Sequence, residues 1–313
     1  MTRRNFLLGF SALAAGGCRS FFTGAAGDYD DDLTLLISDV HLSGTEEKYG
    51  YTQEKLRDFI AEVLRRGPLP RRIVCFGDLA RFHGRREDYA VAAKMLRPLV
   101  DAGIELVLGM GNHDRHDNFF ECFPEYAPRS LVQGSMVSSV HLKDCDLLLL
   151  DSLDPAAEGG AGKGVLSEAQ QEWLKRELPE WKRPVILGSH HAVEELKVGG
   201  APLSVLIRES PMARGYLYGH IHRWTTGWFH GHQWGPCAPI FRKVSLPSLG
   251  YWGDIGWAEL RTTPDLATLS LRQNDFYFAR PLSYDSCGTL ERPALWDELL
   301  KSNLGATCSF RLT

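Results

Sequence analysis

Residues 33–42 read LTLLISDVHL, an apolar run that ends in polar side chains. A short, continuous apolar run of this kind is typical of a strand buried on both faces of a sheet. Asp39 and His41 follow the run directly. The stretch therefore predicts a buried strand that brings a carboxylate and an imidazole to one edge of a sheet.

The same pattern recurs twice in the first half of the chain. The stretches RIVCFGDLA (72–80) and IELVLGMGNHD (104–114) are again apolar runs that end in polar residues. Between the three runs, residues 52–67 and 87–103 have apolar side chains at helical spacing, although the second helix contains a proline. Helical crossovers join parallel strands, so this half predicts βαβ units.

The second half of the chain predicts further strands and one more helix. They are a hairpin at 138–153 with its turn near Lys143 and Asp144, a helix at 166–178 capped by Ser167, and buried strands at 184–192 and 215–222. The tail at 224–280 alternates aromatic, aliphatic and turn residues, which suits antiparallel strands. Parallel strands followed by antiparallel ones predict an α/β fold of mixed sheets covered by helices.

Strand-like and helix-like segments alternate along the chain with no linker between them, so we expect one catalytic domain at residues 28–280. Residues 1–27 are interpreted as an export signal and spacer, and residues 281–313 as a C-terminal extension that packs on the domain. The formal net charge of −4, with both signs interspersed, argues against a dedicated nucleic-acid surface but excludes no small phosphoester substrate.

Chemically versatile side chains follow five of the predicted strands. They are Asp39 and His41 in SDVHL, Asp78 in FGDLA, Asn112, His113 and Asp114 in GNHD, His190 in GSHHA, and His220 and His222 in GHIH. Ligands of open α/β sheets bind at the carboxyl ends of the strands, so residues far apart in sequence can meet there. One such residue alone is more often a turn or a cap, but five groups in this order predict a site.

The residue types in this set favour metal ions. Oxygen and nitrogen donors from Asp, Asn and His suit Mn, Fe or Zn, and the absence of cysteine argues against a structural thiolate zinc site. Without His113 and Asp114, the set has seven candidate ligands. Seven are too many for one tetrahedral ion but suit two ions that share a carboxylate. His220 and His222 alone could bind one ion or be solvated loop residues; a two-ion site predicts that the pair divides between the ions.

The order SDVH, GD, GNHD, GSHH and GHIH resembles the calcineurin-like metallophosphoesterase superfamily, over residues 33–222. The LDSL strand with its following helix resembles the phosphodiesterase-like branch, and SLPSLGYW (245–252) resembles a segment that follows the last histidines. The resemblance implies a four-layer α-β-β-α sandwich of two mixed sheets flanked by helices.

The resemblance also implies roles for individual residues. Asp39, His41 and His222 would hold the first ion, Asp78 would bridge both ions, and Asn112, His190 and His220 would hold the second. A hydroxide bridging the ions would attack phosphorus, His113 would assist the leaving group, and Asp114 would orient His113.

These roles predict hydrolysis of phosphate esters that depends on two metal ions, with phosphodiesters favoured. One alternative is an extracytoplasmic phosphomonoesterase or nucleotidase. The other is a non-catalytic binding protein on the same fold.

Arg81 departs from the phosphodiesterase-like pattern, which usually has an aspartate at this position. Its side chain is expected either to contact a substrate phosphate or, preferentially, to point to solvent. His116 and Trp224 are further candidates for substrate contact, although an aromatic residue such as Trp224 more often packs in the core. His191 would face away from His190 on an extended chain, so it is expected beside the ligands or at the surface.

The first 18 residues, MTRRNFLLGFSALAAGGC, resemble a twin-arginine export signal that ends in a lipoprotein-type cysteine. We expect an exported bacterial protein, either periplasmic or attached to the membrane through a lipid on Cys18. Cys75 lies in an apolar run and is expected to be a buried hydrophobe. Among the remaining cysteines, Cys287 and Cys308 are the first pair to test for a disulfide.

Overall fold

The computed structural model describes residues 28–45, 50–157, 162–230, 241–251, 253–272 and 305–313. The helices are α1 (Gly50–Leu64), α2 (Arg86–Asp101), α3 (His116–Cys122), α4 (Glu168–Glu177) and α5 (Gly200–Glu209). The strands are β1 (Tyr29–Ile37), β2 (Leu69–Cys75), β3 (Glu105–Leu108), β4 (Ser138–His141), β5 (Asp146–Leu149), β6 (Gly164–Val165), β7 (Val185–Gly188), β8 (Leu196–Val198), β9 (Ala213–Tyr218), β10 (Thr225–Phe229), β11 (Phe241–Ser245), β12 (Trp257–Thr262), β13 (Leu266–Arg272) and β14 (Thr307–Arg311).

Two six-stranded sheets form the centre of the molecule. The first has the order β14-β13-β12-β1-β2-β3, and the second has the order β10-β11-β9-β7-β5-β4. In the first sheet, β1, β2 and β3 are parallel and the other neighbours are antiparallel. In the second sheet, β5, β7, β9 and β11 are parallel, with an antiparallel strand at each edge. Both sheets are therefore mixed.

The strands separate the core into layers because their side chains alternate between two faces. On β1, Leu35 and Ile37 pack against the helices of the first half, whereas Leu36 faces the other sheet. A third apolar cluster lies between the second sheet and helices α4 and α5. The order of layers is helix, sheet, sheet, helix, and the predicted four-layer fold is confirmed.

Local sequence signals predicted several elements correctly. Helix α4 begins after Ser167, whose Oγ accepts a hydrogen bond from the Gln170 amide at 3.3 Å. The β4–β5 hairpin turns at residues 142–145, as expected. Helix α1 ends at Leu64, three residues before the predicted stop at Gly67.

Other elements differ from the predictions. Helices α3 and α5 and the small parallel sheet of β6 and β8 were not predicted. The tail is not wholly antiparallel, because β11 pairs in parallel with β9. Residues 273–304 lie outside the described ranges. After them, β14 pairs with β13 as an antiparallel strand.

The cysteines in the described residues are thiols. Cys75 is fully buried, as predicted. Cys308 is a buried free thiol; its expected partner Cys287 lies outside the described residues, so their pairing stays a prediction. Within the described ranges, every helix is too short or insufficiently apolar to cross a membrane.

Candidate metal centre

The predicted ligands lie just beyond the carboxyl ends of five strands. Asp39 follows β1, Asp78 follows β2, Asn112 follows β3, His190 follows β7 and His220 follows β9. The first three of these strands are neighbours in one sheet, and the last two are neighbours in the other. The two sheets therefore present their ligand loops to one shared edge of the sandwich.

The backbone at the site is held in an unusual conformation. Five of the predicted ligands have left-handed backbone, with φ between 52° and 66°: Asp39, His41, Asp78, His220 and His222. A non-glycine residue in this region costs on the order of 1–3 kcal/mol and persists where the surroundings impose it. Strain concentrated on these five positions is typical of a functional site.

Two glycines allow the ligand loops to pack closely against one another. A Cβ atom on Gly219 would collide with the side chains of Ser38 and Asp39, and one on Gly111 would collide with Asp78. Gly219 therefore brings the loop after β9 against the loop after β1.

Three predicted ligands of the first ion converge. Asp39 Oδ1 lies 3.0 Å from His222 Nε2 and 3.8 Å from His41 Nε2. The Nε2 atoms of His41 and His222 are 3.3 Å apart. All three side chains are buried, so these donor atoms enclose a small polar space.

Asp78 lies between this group and the predicted ligands of the second ion. Its Oδ2 atom is 3.6 Å from His41 Nε2 and 3.1 Å from His190 Nε2. Asn112 Oδ1 is also 3.0 Å from His190 Nε2. The His220 ring centroid lies 5.2 Å from that of His190. One carboxylate thus contacts a predicted ligand of each ion, which is the position that the bridging role requires.

Backbone carbonyls orient two of the imidazoles. His41 Nδ1 lies 3.3 Å from the Arg81 carbonyl, and His190 Nδ1 lies 2.9 Å from the Phe76 carbonyl. A carbonyl oxygen can only accept, so Nδ1 must donate in both rings. Nε2 of each ring then points into the site, the orientation that metal-binding histidines take.

The charges at the site also suit cations. Burial alone would raise the pKa of the Asp39 carboxyl, but the imidazoles of His222 and His41 hold it well below its usual range. Burial likewise opposes ionisation of Asp78, yet His190 and His113 hold its pKa below the usual range. Two carboxylates therefore remain ionised in a buried pocket.

The buried charge lacks complete compensation from the protein. Within the described residues, Asp39 Oδ1 has no hydrogen-bond donor, although His222 Nε2 is close to it. Burial lowers the pKa of His41 to about 4, so that ring is neutral at pH 7. No cysteine belongs to any candidate ligand group in the described part of the chain. The donors therefore fit two cations that accept nitrogen and oxygen ligands.

His113 lies at the open side of this cluster. Its side chain is 16% exposed, and its Nε2 is 3.9 Å from Asp78 Oδ2. Its Nδ1 donates to the Phe82 carbonyl at 3.2 Å, and its backbone amide donates to Asp78 Oδ1 at 2.9 Å. Nε2 is thus the ring nitrogen of His113 that points toward the Asp78 carboxylate.

The expected role of Asp114 is wrong. Its carboxylate does not contact the His113 ring, which the Phe82 carbonyl orients instead. Asp114 accepts hydrogen bonds from the amides of Leu79, Ala80 and Gly111 and from the Tyr89 hydroxyl. It therefore ties the loop that carries Asp78 to the loop that carries Asn112 and His113.

The preference for a solvent-exposed Arg81 is also wrong. Arg81 is only 2% exposed, and its guanidinium group lies against the rings of Phe82 and Tyr251. Tyr251, which lies in the SLPSLGYW segment, is a neighbour of the site that the sequence did not predict.

The other two candidates for substrate contact, His116 and Trp224, interact with groups of the protein itself. His116 Nε2 pairs with Asp151 Oδ2 at 2.6 Å and stacks on Phe120. Trp224 is 5% exposed and packs in the cluster between the two sheets, which corrects its candidacy as a substrate contact.

His191 does not lie where the alternation of side chains along a strand predicted. It is fully buried, so the surface alternative is wrong, and its ring centroid lies 4.6 Å from that of His220. Its ligand atom lies within 4.8 Å of those of His190 and His220. Strand β7 ends at Gly188, so the chain at His191 is no longer extended and the expected alternation does not apply.

Comparison with known proteins gives a family match. A family model described as calcineurin-like phosphoesterase matches residues 33–224. A probable cyclic nucleotide phosphodiesterase of Rhodopseudomonas palustris is 26% identical over 212 residues, covering 63% of this chain and 74% of that protein. A cAMP/cGMP dual specificity phosphodiesterase of Mycobacterium tuberculosis is 29% identical over 220 residues. That alignment covers 64% of this chain and 65% of the relative, just under two thirds of its length.

A solved structure shares the fold. A dimetal phosphatase from Danio rerio superposes with a TM-score of 0.57 at 15% sequence identity, covering 77% of this chain and 96% of that one. At this identity the likeness concerns the fold alone.

Proposed function

This chain belongs to the calcineurin-like phosphoesterase family, so it is a hydrolase of phosphoric esters, and we propose that it hydrolyses phosphodiesters with two bound metal ions. The observation that carries the proposal is the position of Asp78. Its Oδ2 atom lies within 3.6 Å of His41 Nε2 and within 3.1 Å of His190 Nε2, so one carboxylate contacts both predicted ligand groups.

We propose that the first ion is held by Asp39, His41 and His222, and the second by Asn112, His190 and His220. Asp78 is proposed to contact both. Ions bound in this way would activate water and offset the negative charge of a phosphoryl group. Mn, Fe and Zn all suit these donors.

The protein itself contributes a rigid arrangement and a proton donor. With Nδ1 of His113 donating to the Phe82 carbonyl, its Nε2 is the atom that can deliver a proton to a leaving oxygen. An alkoxide leaves poorly without such a proton, which is why a general acid at this place favours esters with poor leaving groups.

Cyclic nucleotides are the diesters that we propose as substrates. The support is the cyclic nucleotide phosphodiesterase activity in the names of the two relatives, at 26% and 29% identity. The substrate is a small phosphoester, and the formal charge of −4 gives no reason to expect a nucleic-acid surface.

The test is a substrate panel with the Mn-loaded protein. We expect bis-(p-nitrophenyl) phosphate and 3′,5′-cyclic AMP or GMP to be hydrolysed faster than p-nitrophenyl phosphate, and a chelator to abolish turnover. Preference for the monoester would replace the proposal with the monoesterase alternative. Fewer than about one metal per chain together with no turnover of any ester would indicate the binding-protein alternative, because the reaction requires two ions.

We also propose that the protein is exported in the folded state and reaches the periplasm or a lipid anchor at Cys18. The support is the sequence alone, since residues 1–27 lie outside the described residues. Replacing Arg3 and Arg4 by lysine should retain the protein in the cytoplasm, and unchanged export would refute the twin-arginine signal.

A further inference from the structure

Two consecutive carbonyl groups orient two functional histidines. The Arg81 carbonyl accepts a hydrogen bond from His41 Nδ1 at 3.3 Å, and the Phe82 carbonyl accepts one from His113 Nδ1 at 3.2 Å. His41 is a proposed metal ligand, whereas His113 is the proposed proton donor. The position of one short segment of backbone thus determines the orientation of both rings.

The Arg81 side chain contacts two aromatic rings beside this segment. Its Cζ atom lies 3.6 Å from the centre of the Tyr251 ring and 4.3 Å from the centre of the Phe82 ring. Arg81 is 2% exposed, so this cation–π contact is shielded from water, where such contacts are strongest. The guanidinium group therefore joins its own loop to Tyr251, which is distant in sequence.

Tyr251 is itself held against the first ligand group. Its amide donates to Ser248 Oγ at 2.9 Å, and Ser248 Oγ donates to the Asp39 carbonyl at 3.0 Å. Lys55 Nζ donates to the Tyr251 carbonyl at 2.9 Å. The Tyr251 ring centroid lies 4.9 Å from that of His41. The aromatic partner of Arg81 is thus anchored to the loop that carries the first predicted ligand.

We propose that Arg81 is a positioning residue: by stacking between Phe82 and Tyr251, its guanidinium group holds the two carbonyls that orient His41 and His113. This inference deepens the proposed function, on which its kinetic predictions rest. One stacked side chain would thus control the orientation of both a metal ligand and a proton donor.

The first test measures the imidazoles without using activity. Zinc-loaded protein with ¹⁵N-labelled histidine is compared with the variants Arg81→Met and Arg81→Lys by NMR. Arg81→Met removes the charge, and we expect the Nδ1 protons of His41 and His113 to exchange faster with water. Arg81→Lys retains a cation over the rings and should restore part of the protection. Arg86→Met, which removes an exposed arginine paired with Glu121, is the matched control and should match the wild type.

The second test measures metal binding and turnover. For Arg81→Met we expect Zn²⁺ affinity at the first site and kcat each to fall by about tenfold or more, as for other groups that support metal ligands. KM should change much less, because the guanidinium group is buried against the Phe82 and Tyr251 rings. Arg81→Lys should recover part of both losses, which a simple loss of stability would not explain.

The outcomes separate this inference from the proposed function. If the wild type hydrolyses no diester, the proposed function fails while NMR and Zn²⁺ binding still decide the role of Arg81. Unchanged Nδ1 exchange at both rings in folded Arg81→Met would overturn the inference. If Arg81→Met does not fold, Tyr251→Leu removes one stacking ring, and wild-type exchange at His41 and His113 in that variant would overturn it equally.

Discussion

Asp78 Oδ2 and His190 Nε2 lie 3.1 Å apart, and both side chains are buried. The same oxygen is 3.6 Å from His41 Nε2, in the other ligand group. Because this residue contacts both groups, we expect its replacement to weaken both.

The variant Asp78→Asn tests this position. It removes a negative charge that we expect both ions to share, so metal content should fall below two per chain and turnover by about 100-fold or more. Metal analysis after gel filtration and diester kinetics measure the two effects. Asp101→Asn, at an exposed carboxylate on α2, is the control and should retain both properties. Full metal content with near-normal kcat in Asp78→Asn would contradict the bridging role.

The variant His113→Ala separates proton donation from metal binding. We expect both ions to remain bound, because His113 is not among the proposed ligands. Turnover of an alkyl diester should fall by about 10²–10⁴-fold, and that of a p-nitrophenyl diester by much less, because nitrophenolate leaves without a proton. Rates for the two substrates with wild type and variant give the comparison. Equal losses on both would count against His113 as a general acid.

The variant Asp114→Asn distinguishes a fold role from an orienting role. An amide nitrogen placed among amide donors breaks hydrogen bonds to a buried carboxylate, so the free energy of unfolding should fall by about 2 kcal/mol or more. Chemical denaturation measures this change, with the exposed Asp117→Asn as control. The ratio of alkyl to p-nitrophenyl rates should stay as in the wild type. A changed ratio at unchanged stability would return Asp114 to the orienting role.

The positions of the ligands at strand ends could be predicted because they depend on local pattern. Each buried strand ends where the apolar run ends, so Asp39, Asp78 and Asn112 had to lie at the carboxyl ends of parallel strands. The four-layer arrangement, by contrast, was implied by the resemblance to the calcineurin-like family, and it is confirmed.

The misplaced residues depend on contacts between distant segments. Asp114 adjoins His113 in sequence, yet its carboxylate turns toward backbone amides on the loop after β2. Arg81 is buried because Tyr251, far along the chain, covers it. His191 lies beyond the end of β7, where alternation no longer applies. Local sequence does not specify which distant group a side chain will meet.

The His116–Asp151 pair predicts a pH dependence of stability. Burial would lower the pKa of His116, but its hydrogen bond to the Asp151 carboxylate raises it above the ordinary value. The folded protein thus binds this proton more tightly than the unfolded chain. The stabilisation is complete below the unfolded pKa of about 6.5 and is lost as pH rises through the raised folded value.

The variant His116→Gln should therefore be more destabilised at pH 5.5 than at pH 9. Denaturation of wild type and variant at both pH values measures the difference, and His83→Gln, at an exposed histidine, is the control. An equal destabilisation of His116→Gln at both pH values would show that the ion pair does not contribute.

Removal of the ions should loosen the ligand loops selectively. Asp39, His41, His220 and His222 have left-handed backbone, which costs on the order of 1–3 kcal/mol at each residue. Without cations, the ionised carboxylates of Asp39 and Asp78 also lose the charges that favour this arrangement. Hydrogen exchange with mass spectrometry should therefore show faster exchange at residues 38–42 and 219–223 after chelation. The β4–β5 turn at 142–145, at the opposite end of its strands, should not change. Equal exchange of the ligand loops with and without metal would mean that the protein alone holds these residues in place.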